Sequence, residues 1–230
     1  MKKQGEGQFH FLKVLVLAVT FAIIARFLVI GVYKVPTSAM LPSLHMGDIA
    51  VGWKFPYHSF TRPIYKFLVG ENIRLQRGDL IVFKHPDGKS SYVKRILGLP
   101  GDKIQFTSRN QLVVNSESFQ YELLDEQLNF TGGEYYNLFK ESSKDYSAEI
   151  IIRRSDSESQ VLPEEMIVPL GSYYVLGDNR DASDDSRDWG VIPEENIEAR
   201  LDWIVLSLNW RDEDKSVFRK SRFLLPIESN

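Results

Sequence analysis

Residues 77–102 read Arg77-Gly-Asp-Leu-Ile-Val-Phe-Lys-His-Pro-Asp-Gly-Lys-Ser-Ser-Tyr-Val-Lys-Arg-Ile-Leu-Gly-Leu-Pro-Gly-Asp102. Two short apolar, β-favouring runs, 80–83 and 91–97, are bounded by turn formers. The turns are Arg77-Gly-Asp79, His85-Pro-Asp-Gly88 and Leu99-Pro-Gly-Asp102. Runs of this length between Gly and Pro predict strands joined as a hairpin rather than helices. Side chains alternate along a strand, so Lys94 shares a face with Tyr92 and Ile96. Val93 and Arg95 face the other way.

The same pattern extends outward. Further strands are expected at 48–55, 103–106, 111–115, 150–153, 172–176 and 201–208. Pro193-Glu-Glu-Asn196 suits the start of a short helix, because proline fits the first turn and acidic residues complement its dipole. Residues 116–160 differ: they are rich in Glu, Ser, Asp, Asn and Tyr, and carry the turn Thr131-Gly-Gly133. They predict an inserted, more polar β lobe. Few long amphipathic helical patterns are present. The fold class expected is mainly β: an N-terminal transmembrane helix, then an antiparallel β-sheet domain with an inserted smaller β lobe. The expected division is a leader at 1–13, a span at 14–33, a core at 34–103 and 166–230, and the lobe at 104–165.

Composition narrows the function classes. The 230 residues carry a formal net charge of −3, with 28 Lys and Arg against 31 Asp and Glu. That balance argues against a nucleic-acid binder. The absence of cysteine removes disulfides, cysteine-ligated zinc and cysteine nucleophiles. The four histidines, His10, His45, His58 and His85, show no metal-ligand spacing. No metal or cofactor is expected.

Segment 14–33 is apolar apart from Thr20, Arg26 and Gly31. As a helix it rises about 30 Å, the thickness of a bilayer's hydrocarbon core. It is longer than a secretory h-region and no Ala-x-Ala cleavage site follows, which disfavours a cleaved signal. A buried core helix is the other alternative, but only a short polar leader precedes it. Arg26 costs roughly 2.5–3.5 kcal/mol if central, less if it snorkels. Lys2, Lys3 and Lys13 precede the segment, so the positive-inside rule puts the N-terminus in the cytoplasm.

Three further stretches hold candidate chemistry. Tyr33-Lys-Val-Pro-Thr-Ser-Ala-Met-Leu-Pro-Ser-Leu-His-Met-Gly-Asp48 is one. Lys94 within Tyr92-Val-Lys-Arg95 is the second. Gly177-Asp-Asn-Arg-Asp-Ala-Ser-Asp-Asp-Ser-Arg187 is the third. A strand lysine is ordinarily solvated, and an acidic loop is ordinarily a solvated turn. The loop lacks the glycine and terminal glutamate of an EF-hand, so its carboxylates do not read as a cation site. Arg77-Gly-Asp79 reads as a structural turn rather than an adhesion motif. Residues 218–225 mix basic and apolar side chains and suit either a lipid interface or a structural tail.

Together these stretches resemble the type I signal peptidases of bacteria, membrane-bound serine proteases with a Ser–Lys pair. The resemblance covers about 33–208, outside the inserted lobe. It implies that the residue before Met40 is the nucleophile position, occupied here by Ala39. It implies that Lys94 is the general base, and that Thr37 with the Ala39 N–H forms the oxyanion hole. Ser183 would orient the lysine, with Asp178, Asp185 and Arg187 bracing the loop. Val35, Pro36, Met40, Leu44 and Val93 would line pockets for small residues at −1 and −3 of the cleavage site. Two departures stand out: Ala39 in place of serine, and Ser38 where glycine is usual. The implied partners are signal peptides of exported preproteins and the lipid bilayer. The implied location is the bacterial inner membrane, single-pass, with the catalytic domain on the outer face.

A serine hydroxyl needs a base to remove its proton, and lysine serves only when neutral. Without the hydroxyl, this chain is expected to bind signal peptides and not cut them. Three explanations remain open: a deliberate Ser-to-Ala replacement, a natural pseudoenzyme, or attack by Ser38 or Thr37. On an extended strand Ser38 would point away from Lys94.

Overall fold

The computed structural model describes residues 2–70, 75–107, 111–129, 135–153, 165–209 and 217–227. The side chains of 2–9, 25 and 27 fall outside the description, as does the expected turn at Thr131-Gly-Gly133. In chain order the elements are α1 (Lys2–Leu28), β1 (Ile30–Lys34), β2 (Asp48–Trp53), α2 (Arg62–Val69), β3 (Leu80–Lys84) and β4 (Ser91–Gly98). There follow β5 (Lys103–Phe106), β6 (Leu112–Val114), β7 (Glu117–Ser118), β8 (Gln120–Leu128), β9 (Tyr136–Ser143) and β10 (Tyr146–Arg153). The remainder are β11 (Met166–Ile167), β12 (Ser172–Leu176), α3 (Ser186–Trp189), β13 (Ile192–Pro193), β14 (Ile197–Ser207) and β15 (Leu225–Pro226).

The expected hairpin forms as β3–β4, antiparallel, with Ile81 opposite Lys94 and Phe83 opposite Tyr92. It sits inside the main sheet, ordered β1-β2-β14-β3-β4-β12-β13, with β15 added to β14. Strand β14 holds this sheet together because it is long. Its first residues pair with β3 and its later ones with β2. Asp79 shapes the turn before β3 by accepting the Gln76 N–H at 2.7 Å, while Gly78 takes a φ of 97° that disfavours any Cβ. The turn motif is structural, as its sequence suggests.

Two smaller antiparallel sheets flank this one. One runs β11-β5-β6-β7 and the other β10-β9-β8. Buried Leu97, Tyr174 and Leu176 of the main sheet pack with Ile104, Leu112 and Val114 of the first. Buried Leu41 packs with Tyr136 and Ile151 of the second. Each fully buried aliphatic side chain contributes about 1.5–3 kcal/mol relative to exposure, so these small clusters suffice to dock the flanking sheets.

The N-terminal region departs from expectation. The helix begins at Lys2 and ends at Leu28, and Ile30–Lys34 is a strand paired with β2. The helical stretch therefore stops short of residue 33, because Ile30–Tyr33 finds backbone partners in β2. Arg26 is in the last turn rather than mid-helix, where the helix dipole favours a cation, and it donates to the Ile30 carbonyl at 3.3 Å. Most described side chains of α1 are exposed and apolar, with Phe11 at 70% and Phe21 at 74%. Among the described residues, no helix is long and apolar enough to cross a membrane. The C-terminal tail is tied down: Arg222 pairs with fully buried Asp48 at 2.7 Å, and β15 pairs with β14 at Trp203 and Ile204.

Candidate functional site

A groove of about 630 Å³ runs beside the β3–β4 hairpin. Its walls include Val35, Pro36, Thr37, Ala39, Met40, Val93 and Lys94. The sequence stretch around Ala39 and the one around Lys94 therefore border one cavity. Leu44 does not line it: it is fully buried in the core with Leu80, Ala199 and Ile204. Residues 37–43 form turns, not the extended strand assumed above. Alternation therefore cannot orient Ser38. What separates the candidates is lining: Thr37 and Ala39 border the groove and Ser38 is not among its walls.

Lys94 is 3% exposed, held by β4 between β3 and β12. Its Nζ donates to Ser183 Oγ at 2.6 Å. The Ser183 hydroxyl also helps to lower the pKa of the nearby Asp185 carboxylate. In the contact with Lys94 the serine oxygen is the acceptor. The ammonium or amine of Lys94 is thereby fixed in direction by a neutral group. No ion pair reaches Lys94 among the described residues. Burial lowers its pKa below the usual lysine value, against the pull of Asp185 and Asp184 in the other direction; Arg187 helps to lower it.

The third stretch closes the site. Gly177 sits where a Cβ would run into Ser183 and come within 2.6 Å of the Ala39 carbonyl. Asn179 donates its N–H to the Ala39 carbonyl at 3.1 Å and its Nδ2 to the Ser38 carbonyl at 3.3 Å. The Ala39 turn and the 177–187 loop are thus joined by one main-chain and one side-chain hydrogen bond. Among the described residues, no hydrogen bond takes up the Ala39 N–H or the Thr37 hydroxyl.

Charge pairs hold the loop. Asp185 accepts from Arg187 Nε at 2.8 Å and from the Gly177 N–H at 3.0 Å. Burial alone would raise its pKa, but Arg187 and the Gly177 N–H outweigh it and the net shift is downward. Asp178 makes two bonds of 2.8 Å to Arg95, which is 1% exposed. Arg95 also donates to the Gly78 carbonyl at 2.7 Å and to Ser43 Oγ at 2.9 Å. It joins the loop, the turn before β3 and the turn after Ala39. Its importance was not anticipated, although alternation had already turned it away from Lys94. Arg180 and Glu141 were missed as well: Arg180 is 6% exposed and bonds bidentately to Glu141, which is fully buried on β9.

The arrangement can do specific chemistry. A buried amine beside an apolar groove can take a proton when neutral, and a free main-chain N–H with a hydroxyl nearby can stabilise an oxyanion. Ala39, at the groove wall, carries no nucleophilic side-chain atom. Among the described residues, no group of three or more His, Asp or Glu side chains is placed to hold a metal ion.

Comparison with known proteins gives the site a context. A family model described as signal peptidase, peptidase S26, matches residues 8–206. A signal peptidase I of Pseudomonas fluorescens is 35% identical over 187 residues, covering 76% of this chain and 64% of its own length. The chain thus spans a little under two thirds of that relative. One from Pseudomonas aeruginosa is 31% identical over 206 residues, covering 84% of this chain and 70% of its own. A crystal structure of a signal peptidase I from Enterococcus faecalis covers 57% of this chain and 99% of its own, at 28% identity and a TM-score of 0.35.

Proposed function

This chain belongs to the signal peptidase family, peptidase S26, and on that premise we propose that its groove binds signal peptides of exported preproteins and is built for their hydrolysis by a Ser–Lys pair. The observation that carries the proposal is Lys94: buried, without a counter-ion, and 2.6 Å from Ser183 beside the Ala39 turn. In the complete reaction a serine Oγ at position 39 gives its proton to neutral Lys94 and attacks the scissile carbonyl. Protonated Lys94 gives that proton to the leaving amine as the acyl-enzyme forms, and water, deprotonated by Lys94, then releases the signal peptide and restores the serine. The Ala39 N–H and Thr37 hydroxyl are the oxyanion donors in this reading. Val35, Pro36, Met40 and Val93 are the groove walls that accept small side chains.

With Ala39 the first step has no nucleophile, so this copy binds and does not cut. Loss of the nucleophile in a serine protease costs on the order of 10⁶ in kcat. Retention of Lys94, Ser183 and their supports favours a replaced serine over a natural pseudoenzyme, since a site released from catalysis has no need of a buried unpaired amine. We further propose that α1, whose full run of side chains extends beyond the described ones, anchors the chain in the bacterial inner membrane, N-terminus cytoplasmic, catalytic domain on the outer face. Its exposed apolar side chains and the position of Arg26 at its end support this.

Restoring the hydroxyl by Ala39→Ser and assaying preprotein cleavage tests the proposal. Strong cleavage by the serine form and none by the Ala39 form is expected. An inactive serine form favours the pseudoenzyme. Cleavage by the Ala39 form that disappears with Ser38→Ala would overturn the reading altogether.

A further inference from the structure

We infer that Glu141, on the flanking sheet, is a positioning residue for this reaction, acting through Arg180 on the loop that aligns Lys94 with the Ala39 turn. The inference rests on the peptidase reading given above. Glu141 does not line the groove, so it cannot act by touching a peptide. It is fully buried and holds both guanidinium nitrogens Nη1 and Nη2 of Arg180, the former at 2.6 Å. Tyr146 Oη donates to the same carboxylate at 3.1 Å.

Arg180 passes that grip to the loop. Its Nε donates to the Gly177 carbonyl at 3.2 Å, and its own carbonyl accepts from Arg187 Nη2 at 2.6 Å. The backbone of β10 reinforces it. The Arg180 N–H donates to the Ile151 carbonyl at 3.0 Å, and the Ile151 N–H donates to the Asp178 carbonyl at 2.9 Å. Arg153 N–H reaches Asp181 Oδ2 at 2.6 Å. The segment 177–181 is thus clamped by β9 and β10 on one side. On the other, its Asn179 holds the carbonyls of Ser38 and Ala39. Ser183, bonded to Lys94, follows two residues later.

The flanking sheet therefore sets the distance between the base and the attack position. A buried carboxylate with a bidentate partner is a stiff tether, since the geometry of both groups is fixed. Loss of the Glu141 charge leaves Arg180 buried and unpaired, which pushes it and the loop toward solvent. A displacement on the order of 1 Å at a reacting pair lowers the rate about 100-fold.

The experiment has two arms. In the chain as it stands, Glu141→Gln is expected to speed amide hydrogen exchange at Asn179 and Arg180 by about tenfold or more, leaving the amides of β3 and β14 unchanged. In the Ala39→Ser chain, Glu141→Gln is expected to lower kcat per folded molecule about 10- to 100-fold with KM unchanged. A purely structural role would lower the melting temperature without moving kcat of the folded fraction. If Glu141→Gln does not fold, Tyr146→Phe removes only the hydroxyl bonded to Glu141 and should shift both readouts in the same direction, less far. Unchanged exchange, or unchanged kcat, overturns the inference. An inactive Ala39→Ser chain counts against the peptidase reading alone, and hydrogen exchange at Asn179 then decides whether Glu141 holds the loop.

Discussion

Strands β4 and β9 each bury a charged side chain, and they treat it in opposite ways. On β9, fully buried Glu141 meets Arg180 in a bidentate pair and accepts a third bond from Tyr146. On β4, Lys94 is nearly as deep but is met by the Ser183 hydroxyl. Its neighbour Arg95 is buried too, yet fully paired with Asp178. A paired buried charge is a tether. An unpaired one is destabilised in its charged form, which is what a lysine base requires. The protein therefore spends its counter-ions on the frame and withholds one from the residue that would react.

The largest test of this contrast is removal of the base. In the Ala39→Ser chain, Lys94→Met should lower kcat on the order of 10⁴-fold, measured by preprotein cleavage. A loss under tenfold would show that another group takes the proton. The frame should fail differently. Asp178→Ala leaves Arg95 buried without its partner and should cost about 3–5 kcal/mol in denaturant unfolding. Stability close to that of the parent would mean the pair is not the tether described here.

The same Lys94→Met change should have the reverse effect on stability. A lysine whose folded pKa lies below the unfolded value binds fewer protons when folded. Its contribution therefore improves as pH rises from the folded toward the unfolded pKa, and it is a burden below that window. At neutral pH its replacement by an apolar side chain should raise the melting temperature by about 2–4 °C, equivalent to about 1 kcal/mol. A fall in melting temperature would mean that Lys94 is a structural cation.

A second pH-dependent effect comes from His45. Burial, aided by Arg222, lowers its pKa from 6.5 to about 4. The folded state holds it neutral, so stability is lost as pH falls from 6.5 toward 4. His45→Gln should flatten the melting temperature across that range, removing on the order of 3 kcal/mol of pH dependence. An unaltered profile would place the acid sensitivity elsewhere.

The sequence revealed the paired and unpaired regions unequally. Strands β3, β4, β5 and β12 were legible because apolar runs between Gly and Pro turns leave few alternatives. Strands β8 and β9 were not. The face of β8 is almost wholly exposed, so it carries Glu, Asp and Gln rather than a buried period of two. Strand β1 was read as the end of a helix because Ile30–Tyr33 continues the apolar run, and only pairing with β2 reveals it. Helix α2 also escaped notice, although Ile64, Phe67 and Leu68 recur at helical spacing; the run is only eight residues long and those side chains are exposed. In the site, Lys94, Ser183 and the Ala39 turn came from motifs. Glu141 came from none, because its partner lies 39 residues away and no local pattern links them.

The central claim is that Lys94 is held ready to be neutral by burial without a counter-ion. Its amine can be titrated directly in the chain as it stands, by NMR of ¹³Cε-labelled lysine with Lys94→Met as the assignment control. The account predicts a midpoint below the ordinary lysine value of 10.5. A midpoint at or above 10.5 would mean that the neighbouring carboxylates hold the charge on Lys94, and the account would be contradicted.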